Sequence, residues 1–362
     1  MIPVTKTFLP PKHEYMQVIQ QIWESNQIAN GGELLFGLQK ELKNKLGCTD
    51  LILTANGTIA IQIALKNMAK SGEVITTPFS YVATTSSIVW ENCTPVFVDI
   101  HPEYLTIDEN KIEAAITNRT TTILATHVFG NPCNVDEIER IAKKYNLEVI
   151  YDAAHCYGVN YKGQSLFNYG DISTCSFHAT KIFHTGEGGA LFCNDRDLYH
   201  KLFYSHNFGH KGELEFYGLG INGKMNELQA AMGLAVLPYV DDLIKTRKTQ
   251  VELYNKILDF ENLKKIVIRD NTDWNYSYYP VIFKSENHLL QVQKALNEEK
   301  IFPRRYFYPS LNTLDYVKFE EMEISQDISK SILCLPLYAE LRNDEIGFIS
   351  KIINKTLSLQ KS

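Results

Sequence analysis

The sequence predicts an α/β fold in which a mostly parallel sheet is covered by helices on both faces and followed by a smaller α+β unit. Two observations carry this. From about residue 48 to residue 194, short β-rich apolar runs alternate with helical stretches; near-continuous apolar strands separated by helices are strands buried on both faces. After about residue 259 the alternation gives way to one β run and two helical stretches.

In order, the run 51–54 precedes a helical segment over 59–68, and 74–76 leads to a helix over 81–90. The run 96–98 leads to 107–116, 122–125 to 135–145, and 149–151 follows. Runs 172–177 and 188–193 have only 181–187 between them, a link that suits an antiparallel pair or a local switch of direction rather than a crossover helix. Residues 225–258 read as helix, broken at Pro238. Leu228, Ala231, Met232 and Ala235 share one face, for core or subunit packing. A β run over 276–283 and helices over 288–298 and 327–334 complete the chain. The expected division is a large domain over 1–240 with an N-terminal arm, and a small one over 241–362.

The 362 residues can bury cores without disulfides. A formal net charge of -6 and no dense Lys/Arg run argue against nucleic acid as a partner. The seven cysteines include no C-x-x-C and no His cluster to complete a zinc pattern, so no metal site and a reduced cytoplasmic protein are expected. No signal region opens the chain and no run is apolar enough to span a membrane.

Three segments carry candidate chemistry. Asn56-Gly57-Thr58 follows a strand and opens a helix, where free N–H groups bind anions; an ordinary cap is the plainer alternative. Asp152, in Tyr151-Asp152-Ala153-Ala154-His155, stands at the carboxyl end of a buried strand, where ligands of open α/β sheets gather. Lys181, ending Ser176-Phe177-His178-Ala179-Thr180-Lys181, precedes Gly186-Glu187-Gly188-Gly189. An anion site, a carboxylate and a lysine in this order are the parts that a pyridoxal 5'-phosphate (PLP) enzyme needs. N–H donors hold the phosphate, a carboxylate keeps the pyridine nitrogen protonated, and a lysine amine attacks the aldehyde.

With these segments, Thr77-Pro78-Phe79-Ser80-Tyr81-Val82-Ala83-Thr84 and Asn222-Gly223-Lys224-Met225, the chain resembles the DegT/DnrJ/EryC1/StrS sugar aminotransferases. The resemblance is dense from Asn30-Gly31-Gly32 to Gly233 and thin after about residue 260. It implies the PLP-dependent transferase fold type I, with a seven-stranded sheet. It further implies Lys181 as the catalytic Schiff-base lysine that also moves the proton, and Asp152 on the pyridinium. Gly57, Thr58 and Ser176 would hold the phosphate, Tyr81 would stack on the ring, and His155 would lie near the ring hydroxyl. Asn222 would reach the cofactor of the neighbouring subunit in a homodimer with shared sites. Lysine at 181 favours transamination, since some relatives carry histidine there and dehydrate sugars.

Two departures stand out. His155 replaces a common Gln, and its charge depends on pH. Lys224 replaces a usual Arg and lacks its bidentate geometry. The implied substrates are a nucleotide-linked keto-deoxysugar and L-glutamate. Residues 2–6 and 151–155 look most like enzymes that form dTDP-4-amino-4,6-dideoxyglucose; a C3 aminotransferase making a 3-amino-3,6-dideoxyhexose is the near alternative. His178 and His184 flank the lysine, and Arg304, Arg305, Tyr306 and Tyr308 cluster beside Pro303 and Pro309; for each, substrate contact and simple packing or solvation are both open. A non-catalytic PLP-binding scaffold is the alternative of another class. A nicotinamide dehydrogenase is disfavoured because no G-x-G-x-x-G follows a first strand.

Overall fold

A computed structural model of the protein describes residues 1–358. Seven strands form the central sheet, in the spatial order Asp50–Thr54, Gly189–Cys193, Ile172–Ser176, Glu148–Asp152, Thr120–Thr126, Glu73–Thr76 and Thr94–Phe97. Only Gly189–Cys193 is antiparallel, lying between Ile172–Ser176 and Asp50–Thr54. The other adjacent pairs are parallel. This is the expected antiparallel pair: a return of a dozen residues leaves no room for a crossover helix.

Strand residues alternate between two apolar cores, one on each face, because successive side chains point to opposite sides of a sheet. Ile123, Val149 and Tyr151 face one core, which is closed by Leu34, Leu38, Leu42 and Leu46 of the helix Glu33–Leu46. Their spacing of four residues puts them on a single helical stripe. Leu124 and Ile150 face the other core, closed by Ala60, Ile61, Ala64, Leu65 and Met68 of the helix Gly57–Met68. Burial on both faces is why these strands read as unbroken apolar runs.

The helix expected over 225–258 is two helices, Glu227–Val236 and Val240–Ile257, joined by the turn Leu237–Tyr239 at Pro238. The first opens with a capping box between Asn226 and Gln229. The second runs between cores: Val240 and Leu243 pack in the larger one, Val251 and Tyr254 in a separate C-terminal core. That smaller core lies between an antiparallel sheet of Leu263–Lys265, Tyr279–Phe283 and Ile332–Leu335 and the helices Glu286–Glu298 and Asn343–Ser358. Ile2–Pro3 pairs in parallel with Ile301–Phe302, which ties the start of the chain to this unit.

Two expectations need correction. The helix expected over 327–334 is Glu323–Ser331, after which Ile332–Leu335 is the buried third strand of the small sheet. A short continuous apolar run has no period to separate helix from strand, and packing decides. The β run expected over 276–283 begins only at Tyr279; Tyr276 has a positive φ, and the Asn275 side chain accepts from the Ser277 N–H.

Candidate active site

The carboxyl ends of the parallel strands bring Thr54, Thr126, Asp152 and Ser176 to one edge of the sheet. A cavity of about 1000 Å³ lies over that edge. Gly57, Thr58, Tyr81, Asp152, His155, Ser176 and Lys181 all line it. Of the expected site residues only Asn222 does not; it is exposed and bridges to Asn207 at the base of the segment 207–222.

Helix Gly57–Met68 starts against the cavity. Its N-cap Asn56 accepts from the Ile59 N–H at 2.9 Å, while the N–H groups of the first residues have no intrahelical carbonyl to meet. A Cβ added at Gly57 would stand 2.8 Å from Ser176 Cβ and 3.1 Å from its Cα. Glycine there lets the helix start touch the strand end, so backbone N–H groups and the Ser176 hydroxyl share one concavity suited to an anion.

Asp152 is buried and makes no ion pair among the described residues. Thr84 Oγ1 donates to its Oδ2 at 2.6 Å, and the Ala154 N–H donates to its Oδ1 at 3.1 Å. Behind Thr84, hydroxyls continue through Ser80 (2.7 Å) to Thr126 (3.0 Å). Burial pushes the Asp152 carboxyl above its ordinary value, against the pull of Thr84, the Ala154 N–H and Lys181. A buried carboxylate held in place yet lacking a cation is suited to a ligand that brings one.

His155 Nδ1 accepts from the Phe129 N–H at 3.0 Å, which leaves the ring proton on Nε2. Burial, assisted by Lys181, holds its pKa well below the usual histidine value, so the imidazole is neutral. His155 therefore presents a neutral N–H donor on the cavity wall.

Lys181 Nζ donates to the Tyr278 hydroxyl at 3.3 Å. Burial pulls the amine down, but its contact with the Tyr278 hydroxyl, then Asp152, outweighs it and leaves the pKa raised. Tyr81, 59% exposed, stands at the start of the helix Val82–Trp90 with its ring centroid 6.4 Å from that of Phe307.

The two flanking histidines part company. His178 lines the cavity, with Nδ1 2.9 Å from Thr180 Oγ1 and Nε2 3.5 Å from Glu187 Oε1. His184 is buried outside it: Nε2 donates to the Phe8 carbonyl at 2.6 Å and Nδ1 accepts from the Gly186 N–H, which fastens the N-terminal arm to the lysine loop. The adjacent arginines at the mouth also differ. Arg305 is tied to Glu286 at 2.6 Å and stacked 3.7 Å over Tyr308, whereas among the described residues the Arg304 guanidinium meets Tyr306 alone, its hydroxyl at 3.2 Å and its ring centroid at 5.5 Å. Lys224 donates to Asn207 Oδ1 at 2.7 Å, so it secures the base of the segment 207–222 despite lacking a guanidinium.

Thr84 and Tyr278 gave no functional signal in the sequence. Thr84 lay within a recognised segment without a role, and nothing local marks Tyr278, whose contact crosses to the C-terminal unit.

A lysine, a buried carboxylate, a neutral imidazole and a helix start suited to an anion stand on one edge of this sheet, and the fold is that of the PLP-dependent transferases of fold type I. The chain belongs to the DegT/DnrJ/EryC1/StrS aminotransferase family, whose sequence profile matches residues 11–354. It is 39% identical over 359 residues to a dTDP-4-amino-4,6-dideoxy-D-glucose transaminase of Shigella dysenteriae, covering 97% of this chain and 98% of that one. It is 36% identical to an Escherichia coli protein of the same name, with the same coverages. A GDP-perosamine synthase of Escherichia coli O157:H7 is 29% identical over 99% of both chains. Among solved structures, DesI with its TDP-sugar product superposes with a TM-score of 0.92 at 25% identity, covering 100% of this chain and 96% of that one.

Proposed function

We propose that this chain converts dTDP-4-keto-6-deoxy-D-glucose and L-glutamate to dTDP-4-amino-4,6-dideoxy-D-glucose and 2-oxoglutarate, with PLP as its cofactor. One observation carries the proposal: Lys181, the unpaired Asp152 carboxylate and the Gly57–Ser176 cradle face a single cavity. The relatives at 39% and 36% identity support the sugar.

Bound PLP supplies an electron sink for the carbon that loses its proton. Asp152 would hold the pyridine nitrogen protonated, and His155 Nε2–H would donate to the ring hydroxyl oxygen. Gly57, Thr58 and Ser176 would hold the phosphate, and Tyr81 would cover one face of the ring. Lys181 would bind the cofactor covalently, be released by the incoming amine, and carry the proton from one carbon to the other.

A homodimer with shared sites fits the exposed apolar side chains Phe208, Phe216, Leu219 and Ile221, which stand in the same segment as Asn222; Asn222 would then serve the partner's cofactor. A large domain over 1–240 and a small one over 241–362 accord with the separate cores, which the helix Val240–Ile257 bridges. Seven free, buried cysteines accord with the cytoplasm. Among the described residues no helix is long and apolar enough to cross a membrane.

The test is incubation with PLP, glutamate and the 4-keto sugar, followed by NMR of the product. Equal amounts of 2-oxoglutarate and a 4-amino sugar are expected. Amination at C3 of a 3-keto isomer in its place would overturn the assignment of the sugar, and no 2-oxoglutarate with any keto-sugar would overturn transamination.

A further inference from the structure

Tyr278 is buried at the floor of the cavity with its hydroxyl 3.3 Å from Lys181 Nζ and its ring centroid 5.6 Å from that atom. It comes from a different part of the chain, and an unusual amount of structure fixes it there. Its neighbour Ser277 gives its carbonyl to Arg247 Nη1 at 2.9 Å and its hydroxyl to the His155 carbonyl at 2.5 Å. Asn275 Nδ2 donates to the carbonyls of His155 and Tyr157, both at 2.8 Å. Arg247 is itself buried and has no carboxylate partner among the described residues; burial pulls its pKa down to about 10. A buried guanidinium spent on one backbone carbonyl is costly unless that carbonyl's position matters. The Tyr278 ring packs 4.8 Å from the His155 ring and edge-on to Tyr306 at 5.4 Å.

We propose that Tyr278 is the positioning residue that holds the Lys181 amine at its place in the cavity whenever that amine is not bound to the cofactor. The inference rests on the PLP reading above. A phenol suits the task because it serves both protonation states of the amine. As an ammonium, Lys181 donates to the phenol oxygen; as a neutral amine, it accepts the phenol O–H. When the amine takes a proton from one carbon and returns it to another, the hydrogen bond reverses direction, Nζ stays in place and the phenol keeps its own proton. Phenylalanine fills the same space and offers neither bond. The Tyr278 contact also raises the lysine pKa, so its loss should lower it.

The test compares wild type with Tyr278→Phe in two measurements. In protein stripped of PLP, the pH dependence of Lys181 acetylation by acetic anhydride, read by peptide mass spectrometry, should show a lower lysine pKa in the variant. In the PLP-loaded enzyme, kcat should fall about 10- to 100-fold, KM for each substrate should change less than about 3-fold, and the acid limb of kcat should move to lower pH. Circular dichroism and PLP uptake equal to wild type exclude simple misfolding; a misfolded Tyr278→Phe is replaced by Arg247→Lys, expected to lower kcat in the same KM-sparing way. Unchanged kcat overturns the inference whatever the titration does. A fall in kcat with an unmoved Lys181 titration also overturns it, because Tyr278 then acts on something else. Wild type that takes up no PLP overturns the function proposed above instead, and the titration still decides whether the Tyr278–Lys181 bond exists.

Discussion

The floor and the mouth of the cavity are built on opposite plans. On the floor, Asp152, His155 and Ser176 leave strand ends of the central sheet, and each polar atom is positioned by neighbours: Thr84 and the Ala154 N–H on Asp152, the Phe129 N–H on His155. At the mouth, Tyr81, Arg304 and Tyr308 are exposed, and among the described residues the Arg304 side chain has a single, neutral partner, Tyr306. A preorganised floor suits chemistry that tolerates no displacement. A loosely held mouth suits recognition of the part of a substrate that does not react. Changes on the floor should therefore act on turnover, and changes at the mouth on affinity for the sugar.

The largest effect is expected from Asp152→Asn. An amide cannot pair with a pyridinium, so kcat should fall by about 100-fold or more with PLP still bound; near-normal kcat would show that the carboxylate is only a structural group. Next, Arg304→Ala should raise KM for the nucleotide sugar about 10-fold, the worth of a charge-assisted hydrogen bond, and change the glutamate half-reaction far less. An equal loss in both half-reactions would erase the distinction between floor and mouth.

The smallest effect concerns stability. His127 lies under the floor, donates its backbone N–H to the Asp152 carbonyl, and stacks 4.4 Å from Tyr151 through its ring. Burial, with a lesser push from Arg269, lowers its pKa from 6.5 to about 3. Between those values the unfolded chain binds a proton that the folded chain does not, so stability is lost as pH falls through that window. Asparagine at 127 retains an acceptor for the Cys133 N–H but does not titrate. His127→Asn should cost roughly 1–3 kcal/mol at neutral pH through lost packing, and its melting temperature should fall less steeply than that of wild type between pH 6.5 and pH 3. A parallel pair of curves would mean that His127 contributes no pH dependence.

Much of this architecture was legible because its signals are local. Apolar strands at 122–125 and 149–151, a polar trio opening a helix at Asn56, and an acid ending a strand at Asp152 each declare themselves within a few residues. The illegible parts depend on long-range contacts. Ile332–Leu335 is a strand only because a sheet is waiting for it. His178 and His184 looked equivalent, as did Arg304 and Arg305, until Phe8 and Glu286 claimed one of each pair. Tyr278 reaches Lys181 only through Arg247, Asn275 and Ser277, residues whose importance appears when the C-terminal unit folds back on His155.

The most direct test of the central claim is the visible absorption spectrum of the protein with PLP, before and after glutamate, beside a Lys181→Ala variant. Wild type should show a visible band that glutamate bleaches and the keto-sugar restores, and the variant should show neither that cycle nor turnover. A wild type that stays colourless with added PLP, or a Lys181→Ala protein that still turns over, would contradict the account.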